Sequence, residues 1–105
     1  MKEKTVLELK EMQDAGTEFQ LIDVREQHEY DMANLNGELM PLGSLLSFAD
    51  QINKDIPVIV HCRSGARSAA AINELEKRYG FDNLYNLKGG IIAYSREIDP
   101  SLQVM

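Results

Sequence analysis

The sequence predicts an α/β fold, with a mainly parallel central sheet carrying helices on both faces. Short apolar runs of strand length recur along the chain, as "FQLIDV", "IPVIVHC" and "NLYNL". Between them lie stretches with helical spacing, of which "ARSAAAINELEKRYG" is the clearest. Strands that alternate with helices pair in parallel, because each parallel return needs a crossover of helix length.

Each element has its own signal. "TVLELKEMQDAG" is a predicted short helix: Thr5 and Glu8 have capping-box spacing, Val6, Leu9 and Met12 share a face, and Gly16 ends it. "FQLIDV" is a predicted buried strand. "REQHEYDMANLNG" is polar and begins as one or two helical turns before a Gly-terminated loop. "ELMPL" is read as another short strand, and "GSLLSFADQIN" as a helix capped by Ser44. "IPVIVHC" is the clearest buried strand, with Pro57 at its start, where a missing N–H matters least. In the helix that follows, Ala69, Ile72, Leu75 and Tyr79 form an apolar side. Lys77 and Arg78 suit the negative end of its dipole, and Gly80 stops it. "NLYNL" is one more short strand, and "GGIIAYSREID" opens a final short helix.

At 105 residues the chain has room for one compact core and too little for two. Residues 1–105 are therefore read as a single domain, with a core over about 5–98 and a tail over 99–105. A composition of 44% hydrophobic and 27% charged residues is that of a globular chain, not a disordered one. A net charge of -6 argues against a broad nucleic-acid or anionic-membrane surface, since phosphate binding needs a basic face. A single cysteine cannot form an intramolecular disulfide, residues 1–20 hold no signal-peptide core, and no apolar run reaches membrane-spanning length. A cytoplasmic protein is expected.

That single cysteine, Cys62, stands in "HCRSGARS", at the carboxyl end of the clearest strand and just before the clearest helix. Open parallel sheets bind ligands beyond the carboxyl ends of their strands. In so tight a connection, loop N–H groups and those of the helix's first turn can face inward together, and the helix dipole adds partial positive charge. Arg63 and Arg67 are expected to reinforce that field, Ser64 and Ser68 to offer hydroxyls, and Gly65 to let the backbone turn. A thiol so placed ionises more readily than free cysteine, whose pKa is about 8.5. The alternative is a buried, inert cysteine. An activated thiolate in an anion-holding cradle has two chemistries open to it, attack on sulfur or on phosphorus. Loop length separates them. C-x4-R is a six-residue ring suited to one extra sulfur, whereas the longer C-x5-R surrounds a tetrahedral phosphate.

Taken in order, "LIDVREQHEY", "VIVHCRSGARSAAAINEL" and "NLYNLKGGIIAY" resemble a rhodanese-like sulfurtransferase domain, with similarity running from about Thr5 to Leu102. The resemblance is greatest to the rhodanese domains attached to ThiF/MoeB-type adenylating enzymes. No adenylating domain is present in the sequence, so only the rhodanese part carries over. The resemblance implies that Cys62 accepts a sulfane sulfur from thiosulfate or a persulfide, becomes a persulfide, and passes the sulfur to cyanide, a thiol or a sulfur-carrier protein. It implies that Arg63, Ser64, Gly65, Ala66 and Arg67 form the active loop. Asp23 and Arg25 match the family's D-x-R motif, in a role at least partly structural. Two positions depart from the pattern: Tyr94 stands where the family often has Trp, and "MANLNGEL" replaces a common G-H-I-x-G-A segment.

Other readings apply to individual residues. His61 adjoins Cys62, but neighbours on a strand point to opposite faces, so a packing or hydrogen-bonding role is expected. His28 lies in a polar stretch and is expected at the surface. The spacing of His28, His61 and Cys62 forms no metal pattern, and neither metal nor cofactor is expected. Asp23 is expected to cap loop amides or pair with an arginine. Arg25 either binds an anionic donor or forms a structural salt bridge. Gly89 and Gly90 are read as a tight turn opening the last helix, with Lys88 beside them, and the five methionines as core filling. A cysteine phosphatase and a catalytically idle interaction domain remain the competing function classes.

Overall fold

Four consecutive residues, Val58–His61, are wholly buried, which a strand satisfies only when both faces of its sheet are covered. In the computed structural model, which describes residues 1–104, this strand is the centre of the fold. The order along the chain is β1 (Glu3–Lys4), α1 (Val6–Asp14), β2 (Gln20–Asp23), α2 (Gln27–Met32) and β3 (Glu38–Leu39). A run of 3₁₀ turns (Leu42–Gln51) follows, then β4 (Val58–His61), α3 (Ala66–Tyr79), β5 (Leu84–Leu87) and α4 (Gly90–Glu97). The five strands pair in the order β1-β5-β4-β2-β3, every neighbour parallel. The expected α/β architecture is the one observed.

Side-chain alternation along β4 divides the core in two. Val58, Val60 and Cys62 pack with Ala71, Ile72 and Leu75 of α3 and with Leu45 and Ala49 of the 3₁₀ segment. Ile59 points the other way, into a cluster with Val6 and Leu9 of α1 and Ile91 and Tyr94 of α4. The two-residue period thus places Cys62 under α3.

Local signals act as expected at several ends. The Thr5 hydroxyl accepts from the Glu8 N–H at 3.1 Å and the Glu8 carboxylate accepts from the Thr5 N–H at 2.9 Å, a complete capping box. Two readings need correction. Ser44 caps no helix: Pro41 starts the segment upstream, its carbonyl accepts from the Ser44 N–H at 2.9 Å, and the result is 3₁₀ turns. Tyr79 is 44% exposed and meets Phe81 edge-on; the buried stripe of α3 is Ser68, Ala71, Ile72 and Leu75, ending a turn earlier. Of the expected tail over 99–105, Leu102 and Val104 pack against the α1–α4 cluster, and Met105 lies outside the described residues. Ahead of residue 5, β1 adds an edge strand that two residues of sequence gave no sign of.

That packing makes a measurable demand. Leu102→Ala removes partly buried apolar contact and should cost about 1 kcal/mol in urea unfolding; a variant as stable as the parent would show the segment to be a free tail.

Candidate active site around Cys62

Cys62 follows β4, and the chain reaches α3 four residues later. Within that turn the Gly65 N–H points at Sγ from 3.1 Å and the Ser68 N–H from 3.4 Å, with the Ser68 hydroxyl also 3.4 Å away. Gly65 reaches this geometry with φ of 119°, a region that favours glycine. Peptide planes turn as units, so the Arg63 carbonyl and the Ser64 N–H, one of the amides that favour the thiolate, turn together. The first turn of α4 bonds the carbonyls of that stretch. The Ile91 N–H donates to the Cys62 carbonyl at 3.0 Å, and the Ile92 N–H to the Arg63 carbonyl at 3.1 Å.

This contact explains the glycine pair more fully than a tight turn does. Gly89 and Gly90 both have positive φ, 80° and 62°. A Cβ on Gly90 would lie 2.7 Å from the Cys62 carbonyl oxygen and closer still to that of Arg63. Only glycine lets α4 approach the loop backbone.

Electrostatically, burial of Cys62 pushes its thiol up, but hydrogen bonds outweigh it. The Ser68 hydroxyl, then the amides of Ser68, Gly65 and Ser64, favour the thiolate and hold the thiol below its ordinary value. The burial expected of the inert alternative is present together with the amide cradle. Cys62 is only 1% exposed, since the loop that aims its amides at the sulfur also covers it.

The arginines divide into three environments. Arg67 forms a two-pronged pair with Glu29 of α2, at 2.6 and 2.9 Å, so its charge is matched rather than directed wholly at the sulfur. The Arg67 bond is the main reason that the Glu29 carboxyl is pulled down to about 2, against the opposing effect of burial. Arg63 is exposed at the rim, beside an exposed Ser64. Arg25 is 1% exposed; its guanidinium bonds both Asp23 oxygens at 2.9 to 3.2 Å and the Ala33 carbonyl at 2.7 Å. Of the two roles considered for Arg25, the geometry is that of the structural pair, and it offers no cation to an anion in solution. Asp23 pairs with Arg25 as one of its expected alternatives had it. Removing either partner would leave an uncompensated buried charge.

His61 is fully buried; its Nε2 lies 3.7 Å from the Asp23 carboxylate. Burial first of all lowers its pKa, partly opposed by Asp23, and so favours the neutral ring. Three contributors escaped sequence reading. Glu29 had a faint signal in the Glu26-to-Glu29 spacing, which forms a capping box with the Glu26 N–H 3.1 Å from the Glu29 carboxylate. Asn86, on β5, accepts from the Ser68 hydroxyl at 2.6 Å and donates to the Gly65 carbonyl at 3.1 Å. Gly90 was visible as a turn residue, but its contact with the loop was not.

Comparison with known families places this arrangement. Residues 5–97 match the model of the rhodanese-like domain. The chain belongs to the rhodanese-like domain family. Among curated proteins this rhodanese-like chain is 32% identical over 101 residues to a probable adenylyltransferase/sulfurtransferase, MoeZ, of Mycobacterium tuberculosis, covering 93% of this chain and 26% of that protein. It is 41% identical over 90 residues to the chloroplastic rhodanese-like/PpiC domain-containing protein 12 of Arabidopsis thaliana, covering 81% of this chain and 30% of the relative. The chain thus spans about a quarter to a third of the length of these relatives. A crystal structure of a rhodanese-like domain protein from Staphylococcus aureus superposes with a TM-score of 0.83 at 28% identity, covering 100% of this chain and 99% of the other. The chain is thereby a rhodanese-like domain related to a probable adenylyltransferase/sulfurtransferase. No helix among the described residues is long and apolar enough to cross a membrane.

Two outcomes follow from the geometry. Gly90→Ala should cost about 1–3 kcal/mol of stability through strain at a positive φ. It should also move the iodoacetamide-alkylation midpoint of Cys62 up towards the free-thiol value of about 8.5, whereas an unchanged midpoint would separate α4 from the cradle. Because the folded-state pKa of Glu29 is depressed, its pair with Arg67 contributes stability above the ordinary carboxyl value of 4.5, lost as pH falls towards about 2. Glu29→Gln should therefore be less stable than the parent at pH 7 and close to it only at about pH 2 and below, as measured by denaturant unfolding; an equal deficit at both would contradict the linkage.

Proposed function

We propose that the domain is a sulfurtransferase in which Cys62 carries the sulfur as a persulfide. The observation that supports this most directly is the convergence on Sγ of the Gly65 amide, within the six-residue Cys62–Arg67 loop, and the Ser68 amide, just beyond it in the first turn of α3. Such amides stabilise a thiolate before transfer and a terminal persulfide anion after it. With thiosulfate as donor, the thiolate attacks the outer sulfur, a new S–S bond forms, and the old one breaks with its electron pair leaving on sulfite. An acceptor such as cyanide then attacks the terminal sulfur, giving thiocyanate and returning the electron pair to Cys62 as thiolate. Arg63, Ser64, Gly65, Ala66, Arg67 and Ser68 are the proposed sulfur-binding loop, and Asp23 with Arg25 its structural support. A thiol or a sulfur-carrier protein is the alternative acceptor, and persulfides the alternative donors. The proposed setting is the cytoplasm.

The near-complete cover over Cys62 means that loading requires the loop to open. Its exposed residues are Arg63 and Ser64, and beside them nothing comes closer to a would-be Cβ on Gly65 than the Asn86 amide at 3.8 Å. The short loop also disfavours the phosphatase reading, since it leaves little room for a tetrahedral phosphate.

Intact mass after incubation with thiosulfate tests the proposal. A gain of one sulfur atom, absent in Cys62→Ser and removed by cyanide, is expected; release of phosphate from an aryl phosphate without any sulfur gain would replace it with the phosphatase. Failure of both would leave an idle interaction domain.

A further inference from the structure

The hydrogen bonds around Ser68 contain a conflict. Three acceptors surround its hydroxyl: the Asn86 side-chain oxygen at 2.6 Å, the Gly65 carbonyl at 3.1 Å and Cys62 Sγ at 3.4 Å. A serine hydroxyl has one proton to donate. The Gly65 carbonyl already receives the Ala69 N–H at 3.1 Å and the Asn86 amide N–H at 3.1 Å, one for each lone pair. That second bond also fixes which way the amide of Asn86 faces: reversed, its oxygen would meet the Gly65 oxygen. Asn86 Oδ1 and the sulfur therefore compete for one proton, and the shorter distance favours Asn86.

We propose that Asn86 is a positioning residue acting through Ser68: it holds the serine's proton while Cys62 is a thiol and yields it to the sulfur when the thiolate forms. In the thiol state, S–H donates to the Ser68 oxygen and Ser68 donates to Asn86. When the thiol proton leaves to solvent, the hydroxyl rotates towards the thiolate, and Asn86 Oδ1, 94% shielded with its residue, loses its donor. The lost bond sets a limit on how far the cradle favours the thiolate.

The consequence for transfer rests on the proposed function. In a persulfide the charge sits on the terminal sulfur, so Sγ no longer draws the serine proton and the hydroxyl returns to Asn86. When the terminal sulfur departs, Sγ becomes a thiolate and Ser68 turns back to it. Asn86 thereby biases the cysteine towards its loaded form. The charged and titratable groups nearest this network are Arg67 of α3 with Glu29 of α2, Arg63 in the loop, and His61 of β4 with Asp23 and Arg25 behind it. The Asn86 amide is uncharged, so its effect is separable from theirs.

The test is the pH profile of Cys62 alkylation by iodoacetamide, which needs no sulfur transfer. Asn86→Ala and the near-isosteric Asn86→Leu should each lower the midpoint by roughly 0.5–1 unit, since Ser68 is then free to serve the thiolate. In a Ser68→Ala background the same substitutions should shift nothing. A midpoint that rises, or a shift that persists without the Ser68 hydroxyl, would reduce Asn86 to a structural support and overturn the proposal. Should the variants fail to fold, the parent protein answers alone. Its single thiol gives one S–H stretching band in the infrared, which donation to Ser68 displaces to lower frequency; a band at the free-thiol position would overturn the proposal too. If the midpoints shift as stated but no sulfur is ever gained from thiosulfate, the Ser68–Asn86 network stands and the sulfurtransferase reading falls.

Discussion

The contact between the first turn of α4 and the loop after β4 is the constraint on which the site depends. Two helix N–H groups that would otherwise lack partners meet two loop carbonyls that would otherwise lack donors. Satisfying both fixes the peptide planes at the start of the loop, including the one whose N–H, that of Ser64, favours the thiolate. The field acting on Cys62 therefore has part of its origin in a packing contact, beside the loop's own composition. The contact exists because residue 90 has no side chain.

From this contact the remaining features can be ordered. The core on the α3 face fixes β4 and α3, and so the span the loop must cross. The core on the other face, with Tyr94 bonded through its hydroxyl to Gln13 at 2.9 Å, holds α4 against α1 and so fixes the donors. The Asp23–Arg25 pair ties β2 to the Ala33 carbonyl beyond α2, and α2 carries Glu29, the partner of Arg67. Charged groups brace the loop from outside, while neutral dipoles meet the sulfur itself.

Much of this was legible in the sequence because its signals are local. The apolar run before Cys62, the Ile72–Leu75 part of the buried stripe of α3, the Thr5–Glu8 spacing and the glycine pair each act within a few residues. What escaped depends on chain segments far apart. Glu29 meets Arg67 across 38 positions and Asn86 meets Ser68 across 18, and no periodicity encodes such pairs. The 3₁₀ geometry after Pro41 escaped for another reason: its apolar pattern resembles that of an α-helix, and only the start set by proline separates the two. Closure of the loop over the thiol was hidden because the same glycine and serines serve an open cradle or a closed one.

The sheet's margins have a consequence of another kind. Its outermost strands, β1 and β3, are two residues long. Lys2 and Lys4 bracket Tyr85 at the first margin, their amines 5.4 and 4.9 Å from the ring centre, and Glu38 stands on the second. Margins this brief, with charged side chains on each, give another copy's backbone almost no ladder to extend. A parallel sheet is slow to assemble and vulnerable to mispairing while it does so; here the finished molecule presents blunt borders that discourage fibrillar self-association.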